Sequence, residues 1–593
     1  MIYERETERS MKSLFRYFKP YKVQSALGPL FKLLEASFEL IVPLIVAQMI
    51  DVGLGECIGG GYPDANQGYI LTCCLILVGM GLVGFAFSVV AQYFAARTAT
   101  GVSALIRKDL FQKIQSFSYR DVDRLGASTL ITRMTGDVDK FQSGVNVALR
   151  LFLRSPFIVF GAVITALFVD VNSFPVFGVT VLVLSVVVFA VMAICMPLYR
   201  KSQSALDEVT LSTRENLTGA KVLRAFCRED EENRIFHRRN ERLTAQRKFV
   251  GGIALITNPL TYVLVNLGVV WLLYSGALQV DVGGMSQGSV VALYNLMTQI
   301  LIELIKLANL IVTVAKAGAS GARVAAILRL QPSAVLTPAG GEMTWRELPE
   351  EFIRFDGVSV RYTDSGEKAL DNLSLTLAKG QTLGVIGGTG SGKSTFVNLI
   401  PHFYDVCEGQ VLVDGHNVTD ENVQIPLRER IGIVPQKATL FQGTVRDNLR
   451  WGKSDATDEE LFFALKIAQA EEFVQGKGGL DAVVEQGGKN FSGGQKQRLS
   501  IARALVRKPE ILILDDSFSA LDTLTDAALR KGIGTLDTTV IIVSQRTLSV
   551  ENADKILVLD EGKAVGLDTH KRLLETCDVY REIYQSQKGG ACV

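Results

Sequence analysis

Residues 67–96 contain no charged side chain. An apolar helix needs about 20 residues to cross the hydrocarbon core of a bilayer. Backbone groups inside lipid must form their hydrogen bonds within the protein, and a single segment can do this only as a helix. This run therefore predicts a membrane-spanning helix, and the rest of the fold must be compatible with a membrane.

Further apolar segments resemble this one and raise the predicted number of spans to six. Between 155 and 199 only Asp170 is charged, next to a turn-like Val171-Asn172-Ser173, so this stretch fits two spans. Residues 249–302 contain only Asp281 and divide at Val282-Gly283-Gly284. The predicted transmembrane domain covers 23–330, with spans at about 23–50, 67–96, 155–170, 174–199, 251–278 and 289–315.

Loop charge predicts the orientation of these spans. The connections 54–66, 171–174 and 276–288 contain no Lys or Arg, whereas 97–150 and 200–248 are rich in both. Basic loops lie on the cytoplasmic side. We therefore expect a multi-pass protein of the cell membrane with both termini in the cytoplasm, and with 97–150 and 200–248 as cytoplasmic extensions of the spanning helices.

Residues 1–22 are predicted to form an amphipathic elbow on the membrane surface. Bases and acids occur along the segment together with Phe15, Tyr17 and Phe18, and it contains no apolar run of the kind found in a signal peptide.

Charged residues inside spans are functional candidates by default. Lys32 with Glu35 and Glu303 with Lys306 are spaced i,i+3, so each pair can neutralise itself on one helix face. Glu39 has no obvious partner nearby in sequence. Either Glu39 or Glu303 could line a cavity for cationic amphiphiles. Asn266, Asn295 and Gln299 are expected to form hydrogen bonds between helices.

After residue 330 the sequence pattern changes to short apolar runs separated by glycine turns. This pattern predicts an α/β domain over 331–593. The strand-like run 382–386 leads into G-x-x-x-x-G-K-S and then a helical segment, the context that a phosphate-binding loop requires. In such a loop Lys393 reaches the β- and γ-phosphates and Ser394 ligates Mg²⁺. The candidate ATP-binding residues here are Gly387, Gly388, Thr389, Gly390, Ser391, Gly392, Lys393, Ser394 and Thr395.

Two later motifs extend this prediction. The apolar run 511–514 ends at Asp515, the expected second anchor of Mg²⁺. A Ser-Gly-Gly turn before a helix is another anion site, and one domain cannot easily place both anion sites on one phosphate. We therefore expect the second site to serve a partner's nucleotide. It comprises Ser492, Gly493, Gly494 and Gln495.

In this order, the Gly-Lys-Ser loop, the Phe-Ser-Gly-Gly-Gln signature and the ILILD strand resemble an ATP-binding cassette (ABC) domain. With six preceding spans, the whole chain resembles a half-transporter of the bacterial ABC exporter type. The resemblance implies that Tyr362 stacks on adenine and that Gln436 senses Mg²⁺. It also implies that Asp522 belongs to a nucleotide-contacting D-loop, and that coupling helices lie near 118–124 and 212–219.

Two positions depart from the family's hydrolytic pattern. Where the family has a glutamate that activates water, this chain has Asp516, whose carboxylate is displaced by roughly 1 Å, an error that can lower a rate about 100-fold. Where the family has a switch histidine, this chain has Gln545, which carries neither the proton nor the charge. Both changes affect the ATP bound to this chain's own P-loop, whereas the signature is intact. The chain therefore resembles the degenerate-site subunit of a heterodimeric multidrug-type exporter.

Other functions are compatible with parts of the pattern. A soluble ABC ATPase acting on nucleic acid is opposed by the six predicted spans and by nearly equal totals of Lys+Arg (62) and Asp+Glu (61). An ATP-gated channel or regulator is harder to separate from a transporter. Among exporters, drug-like, lipid-like and peptide cargo remain open. The expected partners are a second half-transporter, the lipid bilayer and a small amphipathic substrate.

Overall fold

A computed structural model describes residues 13–54, 66–331, 345, 348–362 and 366–588. The chain divides into two compact units, one with the described residues of 1–113 and 128–330, the other with those of 114–127 and 331–593. The first unit is helical and the second contains three β-sheets flanked by helices. The predicted fold class, a helical membrane domain followed by an α/β P-loop domain, is confirmed.

The helices before residue 331 include both long rods and short segments. A 3₁₀ turn at Phe15–Tyr21 precedes them, and π-helical turns lie at Met49–Gly53 and Arg133–Asp137. The α-helices are α1 (Lys22–Gln48), α2 (Gln67–Gln115), α3 (Tyr119–Leu125), α4 (Ala127–Thr132), α5 (Val138–Leu151), α6 (Arg154–Val169), α7 (Phe174–Thr218), α8 (Ala220–Ala225), α9 (Glu229–Asp281) and α10 (Gln287–Arg329).

The long helices continue through the basic segments, as the sequence predicts. Helix α2 has 49 residues, which corresponds to about 70 Å at 1.5 Å per residue, more than twice the thickness of a bilayer core. Its apolar first half and its charged second half therefore belong to one rod. Helices α7 and α9 likewise join an apolar part to a charged part without interruption.

Five helical segments among the described residues are long and apolar enough to cross a membrane by length and composition. They are Phe15–Gly53, Gln67–Gln115, Ala127–Val169, Val171–Thr218 and Pro259–Asp281. The sixth predicted span, 289–315, lies within α10 and is not among them. That helix carries Glu303 and Lys306 near its middle, so a count of six stays a prediction.

The helical unit packs around small and branched side chains on α1, α6 and α10. Ala36, Ala162 and Leu296 are fully buried in this core. Other apolar side chains face outward, including Phe85 at 68% and Phe168 at 85% exposure. An outward apolar surface on this scale is unfavourable in water and suits a helix surrounded by lipid.

The α/β unit is built on a six-stranded sheet of order β12-β11-β3-β10-β9-β6 and a four-stranded sheet of order β2-β1-β4-β5. A two-stranded ribbon pairs β7 with β8. The strands are β1 (Ile353–Val360), β2 (Leu370–Leu377), β3 (Thr382–Gly387), β4 (Glu408–Val413), β5 (His416–Asn417), β6 (Ile431–Val434), β7 (Gly443–Thr444), β8 (Val483–Val484), β9 (Ile511–Asp515), β10 (Thr539–Val543), β11 (Lys555–Asp560) and β12 (Lys563–Asp568).

Helices cover this framework and complete two apolar cores, one on each side of the six-stranded sheet. They are α11 (Lys393–Leu399), α12 (Glu421–Arg430), α13 (Val445–Arg450), α14 (Asp458–Ile467), α15 (Glu471–Gly476), α16 (Gly493–Val506), α17 (Thr523–Ile533), α18 (Thr547–Val550), α19 (His570–Thr576) and α20 (Asp578–Lys588).

The two coupling-helix predictions fare differently. Helix α3 covers the first predicted segment and begins at a capping box, in which Ser118 Oγ accepts from the Asp121 N–H. Residues 212–218 are instead the end of the continuous α7, and the short separate helix is α8, which begins at Ala220. No cap interrupts α7 before Gly219, and the coupling role of residues 212–219 stays a prediction.

Candidate nucleotide-binding site

The candidate site lies where four parallel strands end. Strands β6, β9, β10 and β3 are adjacent and parallel, so their carboxyl ends meet at one edge of the sheet, where ligands bind in open α/β folds. Segments far apart in sequence therefore meet there. They form a cavity of about 370 Å³ lined by Tyr362, Ala369, Thr389, Gly390, Ser391, Gly392, Lys393, Ser394, Thr395, Gln436, Asp515, Asp516, Val543, Ser544 and Gln545.

The loop between β3 and α11 has the geometry of a phosphate cradle. Gly390 and Gly392 have φ of 84° and 96°, a left-handed conformation that glycine adopts without strain. A Cβ on Gly392 would lie 2.5 Å from the Ala369 carbonyl oxygen. Only glycine therefore fits at 392, and successive backbone N–H groups in such a turn form an anion-binding concavity.

Lys393 lies inside this loop. Its ammonium donates to the carbonyl oxygens of Gly387 at 2.9 Å and Gly388 at 2.5 Å, and to Ser391 Oγ at 3.3 Å. Burial lowers the pKa of the Lys393 ammonium, although the charges of Asp516 and Asp515 oppose the change. The group is thus a buried cation at the phosphate end of the cavity.

Three oxygen-bearing side chains in the cavity suit a magnesium ion. Ser394 Oγ donates to Asp515 Oδ1 at 3.3 Å, and Gln436 lies on the same cavity. A hydroxyl, a carboxylate and an amide oxygen are hard ligands of the type that Mg²⁺ prefers. Burial and the adjacent Asp516 raise the pKa of Asp515, and a divalent cation there would offset that effect.

Asp516 and Gln545 line the same cavity. Asp516 has a left-handed φ of 47°, and its N–H donates to the Val543 carbonyl at 3.0 Å, which ties it to β10. Its carboxylate accepts from Gln436 Nε2 at 3.4 Å. Gln545 is the second residue after β10, and its carbonyl accepts from Gln587 Nε2 at 2.7 Å. Both departures from the family pattern thus line one cavity.

Tyr362 forms the outer side of the cavity. Its hydroxyl shares a 2.8 Å hydrogen bond with Thr395 Oγ1, and its ring meets Tyr404 edge to face, with centroids 5.1 Å apart. The ring is 43% exposed, so one face is available for stacking. Its role toward adenine stays a prediction.

The signature residues lie elsewhere in the α/β unit. Ser492 caps α16: its Oγ accepts from the Gln495 N–H at 3.3 Å, and its own N–H donates to Gln495 Oε1 at 3.0 Å. A Cβ on Gly494 would lie 2.9 Å from the Ala520 carbonyl, so the signature packs against the segment that ends at Asp522, the N-cap of α17. Among the described residues lining the P-loop cavity, none belongs to the signature.

The intramembrane charges form a network that the sequence reveals only in part. The i,i+3 pairs are confirmed: Lys32 Nζ lies 2.5 Å from Glu35 Oε2, and Lys306 Nζ lies 2.8 Å from Glu303 Oε1. Glu39 has no partner nearby in sequence, as expected, but it has one 115 positions away. Arg154 binds both Glu39 oxygens at 2.8 Å and Glu303 Oε1 at 2.8 Å.

Sequence reasoning misses Arg154 because this residue directly precedes the third apolar run and lies outside it. Its partners lie 115 and 149 positions away, so no local pattern pairs them. Among the described residues, one of the three amides expected to bond between helices does so: Gln299 donates to the Glu39 carbonyl at 3.1 Å. Asn266 and Asn295 instead donate to carbonyls of their own helices, so that expectation is wrong for both.

Taken together, the fold and site define a membrane protein with a nucleotide-binding domain on the same chain. Comparison with protein families agrees: residues 26–304 match the ABC transporter transmembrane region and 370–519 match the ABC transporter domain.

Relatives match along almost the whole chain. The uncharacterized ABC transporter ATP-binding protein YfiB of Bacillus subtilis is 35% identical over 98% of this chain and 99% of its own. The protein MT1311 of Mycobacterium tuberculosis, similarly described, is 34% identical over 98% of both chains. The ATP-dependent lipid A-core flippase of Haemophilus influenzae is 28% identical over 98% of both. The chain belongs to the ABC transporter family and has the architecture of an exporter half-transporter, with a cytoplasmic ATP-binding domain.

Proposed function

We propose that this chain is one subunit of a heterodimeric ABC exporter that moves amphipathic substrates out of the cytoplasm or the inner leaflet. Its own nucleotide site binds ATP and Mg²⁺ but is impaired in hydrolysis, and its signature completes the partner's site. The observation that carries the proposal is that Asp516 and Gln545 line one cavity with an otherwise complete P-loop.

The P-loop cavity and the signature are expected to serve different nucleotides, because they lie at different places in the α/β unit. An aspartate in place of glutamate misplaces the base by about 1 Å, and misplacement on that scale lowers rates about 100-fold. Gln545 can donate a hydrogen bond to phosphate but brings no charge. Ser492 is exposed at the start of α16, where a helix N-terminus favours an anion. Its exposure lets a nucleotide held by another chain reach it.

The substrate class is proposed from the membrane half. Glu39 remains 42% exposed at its side chain although Arg154 binds it, so it can still face a cavity and contact a cationic amphiphile. Glu303 is only 4% exposed, which favours a structural role within the charge network. The flippase among the relatives supports lipid-like cargo as the second candidate.

The test is ATPase activity of the assembled pair. Ser492→Arg places bulk and charge at the partner's γ-phosphate and should nearly abolish turnover. Asp516→Ala should leave at least about half of it, because this site contributes little hydrolysis. Ser454→Arg, at an exposed serine before α14, is the matched control and should be neutral. Equal damage from Asp516→Ala and Ser492→Arg would show that Asp516 is a working catalytic base.

A further inference from the structure

The α/β unit contains a second cavity, of about 370 Å³, between α17, α18 and the strands β3 and β10. None of the residues that line it also lines the nucleotide cavity. Thr382 is the first residue of β3 and Val540 the second of β10, so this cavity lies toward the amino ends of strands whose carboxyl ends carry the nucleotide site. Its volume is within the range of small-molecule pockets.

The polar walls of this cavity come from two helices. The lining residues of α17 and its C-cap are spaced i, i+3, i+4 and i+7, which places them on one helix face: Ala527, Arg530, Lys531 and Gly534. Ser549 on α18 and Asn552 in the turn after it are likewise three positions apart. Two cations and two polar side chains therefore belong to the lining itself.

The lining is positively charged, since it contains Arg530 and Lys531 but no acidic residue among those described. Arg530 Nε donates to Asp526 Oδ1 at 3.0 Å, and its Nη1 donates to the Leu548 carbonyl at 2.7 Å, so its charge is matched within the fold. Lys531 is exposed and has no ion pair or hydrogen bond within the described part of the chain. An anion in the cavity would meet an ammonium group that no carboxylate occupies.

Ser549 supplies an independent sign of a missing ligand. Its side chain is 3% exposed, and its Oγ has no hydrogen-bond partner among the described residues. Its backbone N–H donates to the Arg546 carbonyl at 3.2 Å, so the hydroxyl is the unmatched group. A buried hydroxyl without a partner is unfavourable, and a ligand oxygen in the cavity would pair with it.

The floor of the cavity is apolar. Phe518, Ile533 and Val540 line it and belong to the apolar core on this side of the six-stranded sheet. Small-molecule sites typically combine such a lining with a few placed polar groups. The apolar floor favours a ligand with a hydrocarbon body over a bare inorganic ion, and the walls favour one with a negative head group.

We propose that this cavity binds a small organic carboxylate with a hydrocarbon body. Lys531 and Ser549 bind the carboxylate, and the body packs against Phe518 and Val540.

The bound acid contacts two segments that adjoin the nucleotide-facing parts of the cassette. Helix α17 is capped by Asp522, and α18 begins two residues after Gln545. The acid is separate from ATP and from any transported substrate. The proposal requires only the folded α/β unit, so it stands or falls independently of the heterodimer.

The experiment uses the full transporter in nanodiscs of phosphatidylcholine, with photoreactive analogues of octanoate, octanol and octylamine as probes. The octanoate probe should label peptides from 523–534 and 547–553 at least about fivefold more than either other probe, because only it can form a charged hydrogen bond to the ammonium group. Unlabelled octanoate should remove that excess, whereas acetate at the same concentration should not, because it has too little apolar surface to bury. Equal labelling by the three probes would overturn the proposal, as would equal competition by acetate.

Two polar variants test the walls. Lys531→Gln removes the free charge and should lower labelling by the octanoate probe about fivefold, whereas Lys571→Gln, at an exposed lysine of α19 outside the cavity, should leave it unchanged. Ser549→Ala should lower labelling about threefold without lowering the temperature of thermal unfolding, because the hydroxyl has no partner in the free protein. Full labelling in either cavity variant would overturn the assignment of the carboxylate site.

A further pair of variants tests the cavity itself. Ala527→Trp fills it from α17 and should lower labelling at least about fivefold. Ala528→Trp, at the next exposed residue of the same helix, does not line the cavity and should leave labelling unchanged. Undiminished labelling in Ala527→Trp would place the probe elsewhere and overturn the proposal. If that variant does not fold, Lys531→Gln decides the question, because it changes only the end of an exposed side chain.

Discussion

A P-loop site normally both binds ATP and hydrolyses it. In this chain we assign binding to Lys393 and hydrolysis to the position of Asp516. We expect Lys393, which lies inside the phosphate-binding loop, to contribute to nucleotide affinity, and the carboxylate at 516 to act on the attacking water. A site that keeps Lys393 but lacks the family's glutamate at position 516 should therefore bind ATP and hydrolyse it poorly. In the proposed heterodimer such a site can still keep two cassettes together, because each nucleotide would lie between a P-loop and a signature.

Nucleotide affinity at this chain's own site should therefore depend on Lys393 and not on Asp516. Lys393→Ala removes a charged hydrogen bond to phosphate, which contributes about 1.5–3 kcal/mol, so ATP affinity should fall roughly tenfold or more. Asp516→Asn should change it less than about twofold. Lys531→Ala, at an exposed lysine of α17, is the control. Titration of a fluorescent ATP analogue measures all three, and a large loss in Asp516→Asn would contradict the separation.

At the scale of elements, Arg154 at the start of α6 joins three helices that are remote in sequence. Its guanidinium reaches Glu39 on α1 and Glu303 on α10, across 115 and 149 positions. Ser155 Oγ adds a 2.8 Å bond to Glu303 Oε2. Removing one member of a buried ion pair leaves an uncompensated charge, which is strongly destabilising.

Arg154→Ala should accordingly lower the free energy of unfolding by about 3–5 kcal/mol. The matched control is Arg242→Ala, which loses an exposed pair with Glu208 at 3.5 Å and should change it by no more than about 1 kcal/mol. Thermal unfolding in detergent compares the two variants. Equal stability of both would show that the network does not hold α1, α6 and α10 together.

Helix α3 offers a test of coupling inside the α/β unit. Tyr404 donates to Asp123 Oδ2 at 2.8 Å, and the Tyr119 ring lies 4.4 Å from that of Phe403. Burial and the Asp123 charge raise the pKa of the Tyr404 phenol, so it remains a neutral donor at every physiological pH. The bond therefore persists throughout that range.

Tyr404→Phe should keep basal ATPase activity within about twofold and lower its stimulation by substrate, because it removes one bond between α3 and the cassette. Tyr274→Phe, at an outward position of α9, controls for loss of a tyrosine hydroxyl. ATPase activity with and without a stimulating amphiphile gives the ratio for each variant. An unchanged ratio in Tyr404→Phe would exclude this bond from coupling.

How much of the structure the sequence predicts depends on how far apart in the chain the interacting residues lie. Strand-loop-helix motifs such as 382–400 are local, so their structure was predictable, as were the i,i+3 pairs at Lys32 and Glu303. The contacts of Arg154 depend on tertiary packing, which no local pattern encodes. The continuation of α7 through residues 212–218 is likewise local, since the first break in that helix comes at Gly219.

At the scale of the whole molecule, we propose that this chain contributes two parts to the heterodimer. One is a nucleotide site that retains its ATP, and the other is a signature that completes the hydrolytic site on the partner. This arrangement requires two different chains, because a homodimer would carry Asp516 and Gln545 at both sites. It also predicts that the two sites differ in what they contain during turnover. Hydrolysis at the partner's P-loop replaces ATP with ADP, whereas the site on this chain keeps its γ-phosphate.

The most direct test follows that γ-phosphate. The assembled pair is allowed to turn over a photoreactive ATP labelled either at the α- or at the γ-phosphate, and is then crosslinked and separated into its chains. This chain should carry both labels to similar extents, whereas the partner should carry the α label and little γ label. Loss of the γ label from this chain to the same extent as from the partner would contradict the proposed asymmetry.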